Sequence, residues 1–152
     1  MSPARSDVNG MIDYLASLSD SFDKTLFVGV DSRWDYRHLF DNYETLDINP
    51  KTNPNIVADI QDTKIHDKYD RIIFTGVYEY LEKPQKAMEE IYRLLADDGI
   101  ALICVPCPGF YKDKPTVEPA SIFKVLRLFK IREILITWYR GVPSYIHCIC
   151  NK

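Results

Sequence analysis

The sequence predicts an α/β fold, a mostly parallel sheet flanked by helices and closed by an antiparallel hairpin. Three observations predict it. Short runs that are apolar nearly throughout, such as Thr25–Val30 and Ile100–Val105, alternate with stretches whose apolar residues recur every three or four positions, the pattern of buried parallel strands joined by helices. Two strand-like runs near the end are separated only by Gly141-Val142-Pro143, a link too short for a parallel crossover. Asp47 closes a second apolar run 18 residues after Gly29. A turn glycine after one strand and a carboxylate at the tip of the next suit a nucleoside, because two adjacent ribose hydroxyls donate well to two carboxylate oxygens.

The elements follow in order. Met1 to Asp7 reads as a loose tail. Val8 to Phe22 carries apolar residues at Val8, Met11, Ile12, Leu15, Leu18 and Phe22, the spacing of an amphipathic helix that Ser6 or Asp7 can cap. Thr25 to Val30 is the first strand. Trp34 to Tyr43 reads as a short helix with Tyr36, Leu39 and Phe40 on one side, and Glu44 to Ile48 as the second strand. Asn49 to Asn55 holds two prolines and is a loop. Ile56 to Ile60 is a third short strand. Parallel strands normally need about a dozen linking residues, yet only Asn49 to Asn55 precedes this strand and only Gln61 to Tyr69 follows it. Either the crossover is a bare loop or the third strand is an edge piece. One side of the sheet is then thinly covered, a surface suited to a homodimer or partner subunit.

Asp70 to Gly76 is the fourth strand. Lys83 to Ala96 is the strongest helix, with Ala87, Met88, Ile91, Leu94 and Leu95 at helical spacing, Pro84 in its first turn and Asp98-Gly99 at its end. Ile100 to Val105 is the fifth strand and Pro106 to Pro115 a loop. Val117 to Phe129 reads as a second helix with Pro119 in its first turn. Lys130 to Arg140 and Ser144 to Cys150 form the closing hairpin.

The chain has 152 residues, 46% of them hydrophobic, enough for one domain over residues 1–152 that buries about 68–70% of its unfolded surface. A net charge of −3 argues against nucleic acid as a partner. No apolar run approaches the ~18 residues of a membrane span, and the opening MSPARSDVNG lacks the apolar core of a signal peptide. A cytoplasmic location is expected, with the four cysteines as thiols. Cys104 and Cys107, and Cys148 and Cys150, lie mostly on strands and read as core thiols; no metal is expected. His38, His66 and His147 have no ligand spacing and read as surface or packing residues.

Taken together, these residues resemble the class I S-adenosylmethionine-dependent methyltransferase family, in particular a short subgroup whose second and third strands are joined by a proline-containing loop. The matching pieces are LFVGV ending at Val30, YRHLF at Tyr36–Phe40, LDINP at Leu46–Pro50, VADIQD at Val57–Asp62 and the long stretch Tyr69–Pro106. That last stretch carries an aspartate-led strand, a loop comparable to the family's V-L-E-H-L, a proline-started helix, an R-x-L-x-x-x-G ending and a strand closing in proline. The resemblance implies a Rossmann-like sheet whose last strand is antiparallel, and S-adenosylmethionine as cofactor. It implies that Gly29 begins the loop under the methionine end, that Asp47 binds the ribose with Ile48 against the adenine, that Asp59 and Ile60 meet the adenine edge and face, and that Thr75, Gly76 and Val77 border the sulfonium.

The family's first loop is usually G-x-G-x-G. Here Asp31, Ser32 and Arg33 follow Gly29-Val30. Either Asp31 pairs with the cofactor's ammonium and Arg33 with its carboxylate, or their bulk closes the pocket. Glu79 and Tyr80 are the catalytic candidates by position in the V-L-E-H-L loop. Tyrosine replaces a histidine there, and with an ordinary pKa of about 10 it is a poor base unless perturbed. Phe110 and Tyr111 lie where the family's acceptor site opens, whereas Tyr139 and Tyr145 read as strand residues.

The expected function is methyl transfer to an oxygen, nitrogen or carbon of a small-molecule or carrier-held acceptor, by alignment more than by base catalysis. The alternative is a methyltransferase-like binding or regulatory subunit without catalysis. A nicotinamide oxidoreductase would need G-x-G-x-x-G after the first strand, and Gly29 stands alone.

Overall fold

A computed structural model of the chain describes residues 3–30 and 36–152, with side chains from residue 9 onward. In order, the elements are α1 (Pro3–Ser17), β1 (Lys24–Val28), β2 (Asn42–Asp47), β3 (Ile56–Val57), β4 (Tyr69–Phe74), α2 (Pro84–Leu94), β5 (Leu95–Pro106), α3 (Ile122–Val125), β6 (Lys130–Tyr139) and β7 (Val142–Asn151). The strands form one sheet in the order β3-β2-β1-β4-β5-β7-β6. Its first five strands run parallel, and β7 runs antiparallel to both β5 and β6. This is the predicted class, a Rossmann-like sheet ending in a hairpin.

Apolar residues on both faces of β1, β4 and β5 explain why these strands lie in the middle. Side chains alternate across a strand, so Ile72 and Phe74 face one core and Ile73 the other. The first core takes Ala87, Met88, Ile91 and Leu94 of α2. The second takes Met11, Ile12 and Leu15 of α1 against Phe27, Ile73, Leu102 and Ile149. Each fully buried side chain of this size contributes about 1.5–3 kcal/mol. Pro84 opens α2, where its missing N–H has no intrahelical partner to lose.

Several boundaries differ from the expectation. The helix begins at Pro3, inside the expected tail, and stops at Ser17. Beyond it Asp20 Oδ1 accepts hydrogen bonds from the backbone N–H groups of Phe22 and Asp23. This local side-chain competition ends helices and leaves Phe22 88% exposed. Of the helix expected over Trp34–Tyr43, Trp34 and Asp35 lie outside the described residues. The remainder is one 3-10 turn, Arg37–Leu39, because β2 already begins at Asn42 to pair with Lys24. The helix expected over Val117–Phe129 shrinks to a 3-10 turn, Pro119–Ser121, and the single turn α3. Its start is held extended by Val117 N donating to Pro106 O at 2.8 Å. One turn is too short to be stable alone and survives by burying Ile122 and Leu126.

Both alternatives for the third strand hold together. β3 is two residues long at the sheet edge, and its link carries only the 3-10 turn Pro50–Thr52, capped by Asn49 on Lys51 N. α2 ends at Leu94 and passes straight into β5 with Leu95 extended. Gly99 therefore lies within a strand, where a Cβ would stand 2.6 Å from Leu95 Cδ1. The hairpin turns at Arg140-Gly141, with φ of +50° and +81°, the two-residue geometry that matches strand twist.

The four cysteines are buried thiols. Burial pushes Cys104 and Cys148 up to about 12 and Cys107 up to about 11. His147 is fully buried, its Nδ1 3.1 Å from Cys104 Sγ, while His38 and His66 are exposed. Among the described residues no group of three or more His, Cys, Asp or Glu is placed to hold a metal, and no helix is long and apolar enough to cross a membrane.

Candidate active site

Strand order reverses between β1 and β4. From there the chain builds outward to β2 and β3 on one side and to β5 on the other, and the crevice at the carboxyl ends of such a switch point is where ligands bind. On the β1–β3 side, Gly29 follows β1 with φ +84°. A Cβ there would lie 2.6 Å from Val77 Cγ2, and Thr75 O is 3.8 Å away. Only glycine allows this dihedral and approach together. Val30 N donates to Asp47 Oδ2 at 2.9 Å, and Asn49 N donates to Asp47 Oδ1 at 2.8 Å. The carboxylate is thus fixed between two loops while each oxygen keeps a spare lone pair. Ile48 beside it is 66% exposed. Gly76 has φ +68°, and a Cβ there would meet nothing within 4 Å, so open space adjoins the end of β4.

The β4–β5–β7 side is aromatic. Glu79 lies in the 3-10 turn Tyr78–Tyr80 and is only 4% exposed. Its Oε1 is 3.4 Å from the Tyr145 hydroxyl, which is 3.0 Å from the Tyr111 hydroxyl. Its Oε2 is buried with no hydrogen-bond partner among the described residues. Burial raises the Glu79 carboxyl above its ordinary range, against the lowering effects of its backbone and Tyr145 hydrogen bonds, Lys114 and Tyr111. Phe110 packs edge-on against Tyr111, Tyr139 and Tyr145, with centroids 5.0, 6.0 and 5.4 Å away. Tyr80 is 66% exposed and carries the Lys114 ammonium 3.9 Å from its ring centre.

A family model described as "Methyltransferase domain" matches residues 18–148. The chain belongs to this methyltransferase family. Its fold is that of the class I S-adenosylmethionine-dependent enzymes. N-methyltransferase NodS from Bradyrhizobium japonicum WM9, in complex with S-adenosylhomocysteine, superposes with a TM-score of 0.81 at 13% identity, over 97% of this chain and 87% of that one. A TehB-like S-adenosylmethionine-dependent methyltransferase from Corynebacterium glutamicum ATCC 13032 Kitasato gives 0.70 at 16% identity, over 99% and 100%. Magnesium protoporphyrin IX methyltransferase from Synechocystis PCC 6803, with bound S-adenosylmethionine, gives 0.73 at 16% identity, over 98% and 80%. At these identities the likeness speaks to the fold. No curated protein matches the chain significantly.

The methyltransferase fold brings Gly29, Thr75 and Val77 into one contact and ties Asp47 to the turn after Gly29. Asp59 follows β3 on the adjacent strand end. Its Oδ1 accepts from Gln61 N at 2.8 Å and both its oxygens from Gln61 Nε2 at 3.1 Å, the geometry of an Asx turn. Ile60 is only 4% exposed and lies in the core, so what it presents at the sheet edge is backbone and not an apolar face. Asp31, Ser32 and Arg33 lie outside the described residues.

A cavity of about 490 Å³ opens between the Asp59 turn and the start of α2, lined by Asp59, Asp62, Glu82, Glu89 and Glu90 with two lysines and Gln61. It lacks the apolar wall that an adenine or an organic acceptor needs, so we place no cofactor there.

Sequence reasoning passed over Tyr145, which read as an ordinary strand residue. The signal was the register of the last strand. With β7 antiparallel to β5, Tyr145 stands opposite Pro106, next to the loop that carries Tyr111.

Proposed function

We propose that this methyltransferase binds S-adenosylmethionine over the carboxyl ends of β1, β2 and β4 and transfers its methyl group to a small-molecule or carrier-held acceptor lying over β4, β5 and β7. The observation that carries this reading is the turn after β1, where Gly29 closes against Val77 while Val30 N holds the Asp47 carboxylate. When bound, the cofactor supplies an electrophilic methyl carbon on a sulfonium. Asp47 accepts from the ribose hydroxyls through its spare lone pairs. Ile48 lies against the adenine ring, with Asp59 and the Ile60 backbone at the adenine edge. Gly29, Thr75, Gly76 and Val77 border the open space beside the sulfonium. Asp31, Ser32 and Arg33 complete the methionine end. Of the two catalytic candidates, Glu79 is enclosed and Tyr80 faces solvent. Alignment supplies most of the acceleration.

Calorimetric titration with S-adenosylmethionine and S-adenosylhomocysteine tests this reading. Micromolar binding is expected, weakened about 10- to 100-fold in Asp47→Ala, as for loss of hydrogen bonds to a charged group. A folded, ligand-free chain that binds neither compound rejects it in favour of a non-catalytic binding subunit.

A further inference from the structure

Among the described residues Glu79 is the only acidic side chain that is buried. A carboxylate removed from water normally meets a cation or several donors. Here Oε1 is 3.4 Å from the Tyr145 hydroxyl, with Tyr111, Lys114 and a backbone hydrogen bond adding to its support, while Oε2 has no hydrogen-bond partner. The site is short of at least one donor. Aromatic rings stand around it, Tyr111 and Tyr145 at hydroxyl contact and Phe110 edge-on to both. The protein's own Lys114 shows what these faces attract, since its ammonium lies 3.9 Å from the Tyr80 ring centre and 5.3 Å from that of Tyr111, both cation–π distances. An unpartnered acceptor oxygen beside rings that already hold an ammonium complements a positively charged N–H donor. It repels an oxyanion, and it offers a neutral hydroxyl no cation–π attraction.

We propose that Glu79, Tyr111 and Tyr145 form the acceptor subsite of this enzyme and that it takes a primary or secondary amine in its protonated form. The proposal rests on the methyltransferase reading above. The ammonium enters from the exposed Tyr80 side, takes the place of the Lys114 ammonium beside Tyr111 and, with a shift of the Glu79 side chain, donates to its carboxylate. One proton passes from nitrogen to the carboxylate, which frees the nitrogen lone pair. The nitrogen then bonds to the methyl carbon of a sulfonium donor, the carbon–sulfur electron pair stays on sulfur, and a methylated ammonium results. Burial of Glu79 favours its protonated form and so favours this transfer; the groups facing it are Tyr145, Tyr111, Lys114 and the Cys104 thiol.

Calorimetry on the full chain tests the subsite, using benzylamine and its uncharged counterpart benzyl alcohol, each with and without saturating S-adenosylhomocysteine. Benzylamine is expected to bind at least about tenfold more tightly than the alcohol, and Glu79→Gln to abolish that difference while leaving the S-adenosylhomocysteine Kd within about threefold. Lys114→Met is expected to tighten benzylamine by removing a competing cation. Equal binding of amine and alcohol, undiminished amine binding in Glu79→Gln, absence of amine binding, or weaker amine binding in Lys114→Met each overturns the proposal. S-adenosylhomocysteine titrated alone reports on the cofactor reading separately. Its failure with amine binding intact rejects that reading and leaves the amine subsite standing.

Discussion

Gly29 sits where any other residue would be strained and Glu79 where burial penalises its charge, and each yields a test. Gly29 combines φ +84° with a neighbour 2.6 Å from where a Cβ would sit. Gly29→Ala is expected to lower stability by about 1–3 kcal/mol in urea unfolding. Adding Val77→Ala relieves the contact but not the dihedral, so recovery should be partial; full recovery would mean that the dihedral costs nothing. Glu79 is a buried acid whose folded-state pKa is raised. The native state then holds the proton more tightly than the unfolded chain. Its contribution is favourable below the unfolded value and is lost as pH rises through the folded value. Gln mimics the protonated acid, so Glu79→Gln should melt a few degrees above the parent at pH 7.5, with the gap closing towards pH 4. A lower melting point at pH 7.5 would show that the charge is better solvated than its burial indicates. Gly29 and Asp47 were legible in the sequence because apolar runs end at them and strand ends are local. The setting of Glu79 was not, because Tyr145 reaches it from 66 residues away.

At the scale of elements, α2 does the work of the crossover helix that the link from β3 to β4 lacks. Glu90 accepts from Thr63 N at 3.0 Å and Thr63 Oγ1 at 2.8 Å, and pairs with Arg93 at 2.8 Å, while Arg93 donates to Ile65 O at 2.6 Å. These bonds fasten an otherwise bare connection to the helix. Arg93 beside it holds the Glu90 carboxyl down to about 2. A depressed pKa gives stability that is present above the unfolded value of about 4.3 and is lost as pH falls towards 2. Glu90→Gln should therefore lower unfolding free energy by about 1–3 kcal/mol at pH 7 and make little difference near pH 2. An equal deficit at both pH values would assign the loss to packing. α2 could be read from the sequence because its four core positions fall at helical spacing within one element. The helices expected at Trp34–Tyr43 and Val117–Phe129 show the same local spacing. In the second, the pairing of Val117 with Pro106 overrides propensity, a long-range bond that periodicity does not encode.

At the scale of the whole molecule, the order β3-β2-β1-β4-β5-β7-β6 places every thiol under cover. A bulky aromatic disulfide reagent should leave the native chain unlabelled, and all four cysteines should react once urea passes the unfolding midpoint. Fast labelling of the folded chain would reveal local opening of β5 or β7. The sheet class was readable because strands apolar on both faces fit only a covered parallel sheet; the short edge strand β3 was readable from the short links around it.

The same strand order divides the crevice by chain position. Residues up to Val77 furnish the side proposed for the cofactor, and residues from Glu79 onward furnish the aromatic side. Selection can therefore rewrite one without disturbing the other. Descendants of a common ancestor can exchange the chemistry they serve through changes confined to the later segments, and a library for altered specificity is best drawn from the loop after β5 and the start of β7.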